Sequence, residues 1–241
     1  MTRTSSLPRL AAWSAVASAP LALGCLFSAL AAVGYDVDAL ADPAAGVGHG
    51  ARGADWLYAS MILDALGYYL LLAPAVLHLD RALRRRDDGL ATLITASGLG
   101  YILVGALGAS VLAAVCPPLM RELELAAEPE THAITLVLRA ALLAVHGGLW
   151  NFLEMILAAV FWLGAGAMLR AERPRFAALT MALGAAAAVD AVGETIGSAE
   201  LASVGLSIYL VLAPAWALCL GVLTARELGT RAPAPMPAVI A

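Results

Sequence analysis

Four carboxylates stand within stretches of chain that are otherwise apolar: Asp64, Glu154, Asp190 and Glu194. Ionisable groups at membrane depth are expensive, and they usually face a bundle interior or a water-filled cavity, so each is a candidate for function. Their neighbours carry further polar chemistry. His146, Trp150 and Glu154 are spaced i, i+4, i+8, which places them on one face of an α-helix, with Asn151 beside that face. Asp190 and Glu194 form an i, i+4 pair, and Asp64 is followed one turn later by Tyr68 and Tyr69, whose hydroxyls can donate to it.

Like charges this close do not all ionise cheaply in a low dielectric, so such a group holds a proton or surrounds a cation. The reading is an acidic pocket open to the outer side, built from Asp64, Tyr68, His146, Trp150, Asn151, Glu154, Asp190 and Glu194, that takes a cation, a proton or a small basic ligand. Two structural readings stand beside it. The same groups can pair with each other and with backbone as interhelical glue, or one carboxylate can pair with Arg139.

Other chemistries find less support. His146 with Glu154 and Asp190 would make a mixed nitrogen and oxygen site, but there is no HExxH, no His pair at i, i+4 and no Cys/His cluster, so no metal is expected. His78 and His146 fall at opposite depths, which argues against a haem held by two histidines. All 14 basic residues are arginine, so Schiff-base chemistry on a lysine is excluded. No P-loop, GxSxG or dinucleotide fingerprint is present. No catalytic residue is assigned, no cofactor is expected, and Arg84-Arg85-Arg86 reads as a headgroup contact rather than a nucleic-acid patch.

The elements that must position these residues are membrane helices. The chain is 62% hydrophobic and 13% charged, with a mean hydropathy of +0.86, well outside the soluble range. A hydrocarbon core about 30 Å thick needs roughly 20 apolar residues of helix. Six stretches qualify, at about 10–33, 56–79, 90–115, 148–169, 176–196 and 201–224. On this reading Asp64 lies roughly 12 Å below the outer boundary, and Glu154 and Asp190 roughly 9 Å below it. Three helices thus bring carboxylates to one layer.

Six spans also sort the arginines. Arg3, Arg9, Arg81, Arg84, Arg85, Arg86, Arg170, Arg173, Arg175, Arg226 and Arg231 share one side, leaving Arg52, Arg121 and Arg139 on the other. The basic side is cytoplasmic by the positive-inside rule, so both termini are placed inside. A cleaved signal peptide over 1–33 fits poorly, because the apolar run is too long.

Residues Thr131 to Val145 are apolar apart from Arg139, and joining them to the fourth span gives a segment too long for one crossing. They are expected to form a short outer interfacial helix that breaks at Gly147-Gly148. The fold class is therefore all-α, a polytopic bundle of six transmembrane helices with this extra helix before span four. One domain covers 1–230, with a flexible Pro-rich tail over 231–241, and 34–54 reads as a flexible outer loop. Cys25, Cys116 and Cys219 are too scattered for a disulfide framework.

Leu163-Gly164, Leu169-Arg170 and Pro174-Arg175, then a small-residue helix through Gly184, carry a resemblance, extended by Arg9-Leu10-Ala11 and by the basic exit of span two. In these the chain resembles a family of uncharacterised bacterial six-span membrane proteins, a domain of unknown function. The resemblance implies six helices and a place in the bacterial cytoplasmic membrane, with no activity and no catalytic residue to transfer. Some members are expected to carry a His in helix four, and the matching stretch near Ala159 has none.

Three functions are open at this point. The first is binding or transport of a cation, proton or small ligand. The second is an accessory or assembly subunit packed against partner membrane helices or a second copy. The third is an enzyme acting on a lipid, with Glu154 or Asp190 as acid or base.

Overall fold

The computed structural model describes residues 6–36 and 50–230. The tail 231–241, most of the first outer loop, and Arg3, Asp38, Asp42, His49 and Arg231 lie outside the described residues. Within them the chain forms six helices, each long and apolar enough to cross a membrane, and no strand. They are α1 Ser6–Ala32, α2 Gly50–Leu83, α3 Asp88–Leu125, α4 Glu130–Leu169, α5 Pro174–Ile196 and α6 Ala199–Thr230. This is the all-α six-helix bundle that the apolar runs require.

Each helix packs against its neighbours in sequence, and α6 closes the ring on α1. Close approach is set by small residues. A Cβ on Gly221 of α6 would meet Val16 Cγ2 at 2.6 Å and the Ala12 carbonyl oxygen at 2.9 Å, both on α1. Exposed side chains such as Leu93, Leu103, Leu107 and Val211 cover the outside and suit contact with lipid. Trp13 is exposed near one end of α1, and Phe27, Tyr35 and Trp56 cluster at the other, as amphipathic rings do at the two membrane surfaces. Trp13 and Phe27 are about 21 Å apart along the helix axis.

Two helices depart from α geometry. α2 winds as α-helix over Gly50–Asp64, widens to π-helix over Ala65–Tyr69, tightens to a 3-10 turn at Leu70–Leu72 and resumes over Ala73–Leu83. Pro74 opens the last section, where its missing N–H and its ring disturb the preceding turn. α4 is α-helical over Glu130–Leu143, π-helical over Ala144–Glu154 and α-helical over Met155–Leu169.

The expected break at Gly147-Gly148 is therefore absent. A Cβ at either glycine would meet nothing within 4 Å, and the π winding carries the backbone ladder through both. The segment expected to lie apart as an interfacial helix belongs to one helix of 40 residues, about 60 Å long. Leu138, Leu142 and Val145 are buried with Ala54, Met61, Leu112, Cys116 and Met120 in a second apolar core. That core also draws α3 past its expected end at 115, so α2, α3 and α4 project together on the side away from the termini, called the distal side below. Arg139 lies exposed on α4, and among the described residues none of the buried carboxylates pairs with it.

The terminal side is tied by ion pairs. Arg84 bridges Asp80 at 2.8 Å and Asp88 at 2.5 Å, and these two carboxylates hold its guanidinium above its usual range. Arg86 reaches Glu172 at 2.8 Å, joining the α2–α3 turn to the α4–α5 turn, and Arg173 pairs with Glu227 of α6. The arginines read as topology signals thus also link one turn to the next. Cys25 and Cys116 are buried and Cys219 is exposed, all as free thiols.

Candidate functional site

The irregular windings sit where the carboxylates are. Asp64 is the last α-helical residue before the π section of α2, and Glu154 is the last residue of the π section of α4. Asp190 is on α5, one turn before Glu194. Glu154 and Asp190 are 0% exposed and Asp64 is 8% exposed, so all three point into protein. Asp64 and Asp190 both lie within electrostatic reach of Glu154.

Glu154 is held by a phenol. The Tyr69 hydroxyl donates to its Oε2 at 3.0 Å, and its Oε1 has no hydrogen-bond partner. Room for the Tyr69 ring comes from α3, where a Cβ on Gly105 would lie 2.0 Å from Tyr69 Cε1. Asp64 Oδ1 faces the Cys25 thiol at 3.7 Å, and Cys25 Sγ is 3.4 Å from the Ser60 hydroxyl, which donates to the Cys25 carbonyl at 3.1 Å. Asp64 Oδ2 and both oxygens of Asp190 are unpartnered among the described residues. Buried polar atoms are normally satisfied, so four unpartnered carboxylate oxygens in one bundle call for an account.

The other nominated residues point in different directions. Trp150 donates from Nε1 to the Gly105 carbonyl of α3 at 3.1 Å, in space that Gly108 leaves open, and His146 stands edge-on to its ring at 4.8 Å. Asn151 donates to Glu194 Oε1 of α5 at 3.1 Å. The π section thus sends Trp150 to α3, Asn151 to α5 and Glu154 to α2, a fan that one face at i, i+4, i+8 would not produce. The Tyr68 hydroxyl does not hydrogen-bond Asp64 and donates instead to the Leu210 carbonyl of α6 at 3.0 Å. Asp64 and Asp190 lie within electrostatic reach of Glu154, and Asn151 ties Glu194 to α4, with no hydrogen bond joining one carboxylate to another among the described residues. Tyr68 and Trp150 are engaged with α6 and α3, and His146 with the Trp150 ring.

Sequence reasoning passed over Tyr101, Tyr209 and Trp162. Tyr209 donates to the Tyr101 hydroxyl at 3.0 Å, and Tyr101 donates to the Tyr68 carbonyl at 2.5 Å. Trp162 packs against Tyr101 at 4.9 Å, Tyr209 at 5.7 Å and Trp216 at 5.8 Å, and Trp216 stacks on Phe176 at 5.9 Å. This aromatic column fills the bundle from the level of Tyr69 to the terminal end of α5. Tyrosines at membrane depth were the available signal for it.

Among the described residues no three His, Cys, Asp or Glu side chains are grouped so as to hold a metal ion. A cavity of about 440 Å³ opens at the α3–α4 turn between Glu122, Leu125, Glu130 and Ile134, away from the buried carboxylates. The fold and the buried group together define the class: a multi-pass, all-α integral membrane protein with a carboxylate and tyrosine core. Compared with known proteins, the chain matches no family model, no curated protein and no solved structure.

Proposed function

We propose that the protein takes up and releases protons inside its membrane-spanning core, with Glu154 as the principal proton-binding group. The observation that carries this is Glu154 itself. It is fully enclosed, one oxygen accepts from Tyr69, the other is unpartnered, and two more buried carboxylates stand within electrostatic reach. Among the described residues no arginine forms an ion pair with any of the three. Three ionised carboxylates in such a setting cost several kcal/mol each without compensation, and a proton is the smallest compensation available. Among the described residues no three ligand side chains are grouped to hold a metal ion, and a proton needs no such group. Kinship with the bacterial six-span family, cytoplasmic placement of both termini and residence in a bacterial cytoplasmic membrane belong to the same proposal.

Infrared difference spectroscopy of the protein in phosphatidylcholine vesicles tests it. A carbonyl band of a protonated carboxylic acid should be present at neutral pH and lose its Glu154 component in Glu154→Gln. That variant keeps an acceptor for Tyr69, so its thermal stability should stay within about 1 kcal/mol of the parent. A spectrum at neutral pH with ionised carboxylates alone would overturn the reading.

A second reading, an assembly subunit, draws on the distal projection, where Leu125, Leu136, Val137 and Leu143 are exposed. It expects Glu154→Gln to change association with other membrane proteins while the infrared spectrum shows no protonated acid.

A further inference from the structure

We infer that the core exchanges protons with the distal side along α5, through Glu194 and then Asp190, with Asn151 of α4 holding Glu194 in position. The inference rests on the proton-binding reading of Glu154 and adds the route by which that site is reached.

Burial falls toward the distal side. Glu154 and Asp190 are fully enclosed, whereas Glu194, one turn nearer the distal end, is partly exposed. Residues four apart lie on one helix face about 6 Å apart along the axis, so Asp190 and Glu194 present their carboxyls in succession. Both Asp190 oxygens are unpartnered, which leaves them free to accept a proton from one side and release it to the other. Glu194 lies within electrostatic reach of Asp190, and Asp190 within reach of Glu154.

The surroundings close other routes. From α6 the residue packed on Asp190 is Gly205, where a Cβ would fall 2.4 Å from the Asp190 backbone nitrogen, so no water column fits there. The ionisable group nearest the start of α6 is Glu200, which is exposed in its first turn. From α4 the groups are Asn151, Glu154 and, edge-on to Trp150, His146. From α2 they are Asp64 and Tyr69, and from α3 and α6 the hydrogen-bonded pair Tyr101 and Tyr209. Toward the terminal side the aromatic column of Tyr101, Trp162 and Trp216 blocks passage.

The transfer balances simply. A hydronium ion at the distal surface protonates the Glu194 carboxylate and leaves water. Among the described residues no Asp190 oxygen is in hydrogen-bond reach of another side chain. That proton therefore passes through an intervening water to Asp190, restoring the Glu194 carboxylate, and through a second water to Glu154 Oε1, restoring the Asp190 carboxylate. Release runs in reverse. Asn151 is a positioning residue, because its amide donates to one Glu194 oxygen and leaves the other for exchange.

The test is the rate at which the Glu154 carboxyl trades its proton for deuterium, followed by time-resolved infrared after transfer of the vesicles into heavy water. Glu194→Gln should keep the Glu154 band at equilibrium and slow its exchange by about a hundredfold, as expected for loss of a positioned proton-transfer group. Glu194→Asp, which retains a carboxyl, should exchange nearly as fast as the parent. Parental exchange in Glu194→Gln overturns the route while leaving Glu154 as the proton site. Absence of the band in the parent overturns the proton-binding reading itself.

Discussion

Tyr68→Phe is expected to lower the stability of the bundle by about 1–3 kcal/mol, the cost of leaving a buried carbonyl unsatisfied. The carbonyl is that of Leu210, four residues before Pro214 in α6. In a regular helix the residue at 214 would donate its N–H to it, but proline has none. The Tyr68 hydroxyl, 3.0 Å away on α2, supplies the missing donor. Pro214→Ala should therefore return most of the loss when combined with Tyr68→Phe, since the backbone donor is restored, while having a smaller effect in the parent chain. The four-corner comparison isolates the coupling. It is read by thermal denaturation in detergent, and additive effects would show that the hydroxyl is not standing in for the backbone.

Gly105→Ala is expected to destabilise by on the order of 3 kcal/mol, from overpacking and a lost buried hydrogen bond together. The new Cβ would lie 2.0 Å from Tyr69 Cε1 and 2.3 Å from Cζ, so the ring must leave its place. Glu154 then loses its phenol donor, and neither of its oxygens keeps a partner. In a Tyr69→Leu background the same alanine should cost far less, because the ring it displaces is gone. The infrared band assigned to Glu154 should shift in Gly105→Ala as well, which a packing defect remote from the carboxyl would not cause. An unshifted band with an unchanged melting temperature would mean that α3 gives way instead of Tyr69.

The parts of the fold that desolvation governs were legible in the amino-acid order. Twenty-residue apolar runs have one stable arrangement in a bilayer, and a carboxylate inside one must face protein, so Asp64, Glu154 and Asp190 could be nominated without coordinates. Winding was not legible. A π section needs only one more residue per hydrogen-bonded ring, and nothing in Ala144–Glu154 distinguishes it from α-helix. That is why Gly147-Gly148 looked like a break, and why Trp150 and Glu154 were expected on one face. Between Tyr68 and Tyr69, α periodicity alone could not say which hydroxyl reaches a carboxylate, because the π and 3-10 turns beside Pro74 rotate both. Pro214 was a readable clue to the role of Tyr68, since a proline in a helix interior leaves an acceptor four residues earlier without its donor. Gly105 and Gly108 of α3 each make room for an aromatic ring from a different helix, Tyr69 of α2 and Trp150 of α4, which the amino-acid order does not announce.

The seam between α1 and α6 has a consequence in time. It joins α1 to α6, so α1 must wait in the membrane through synthesis of the four helices between them before its partner arrives. Contacts this distant in sequence are slow to form. Until then the Ala12 and Val16 surface that Gly221 later covers faces lipid or the insertion machinery. A ribosome stalled before α6 would leave every other helix in place and the ring open, presenting cellular quality control with an unclosed seam.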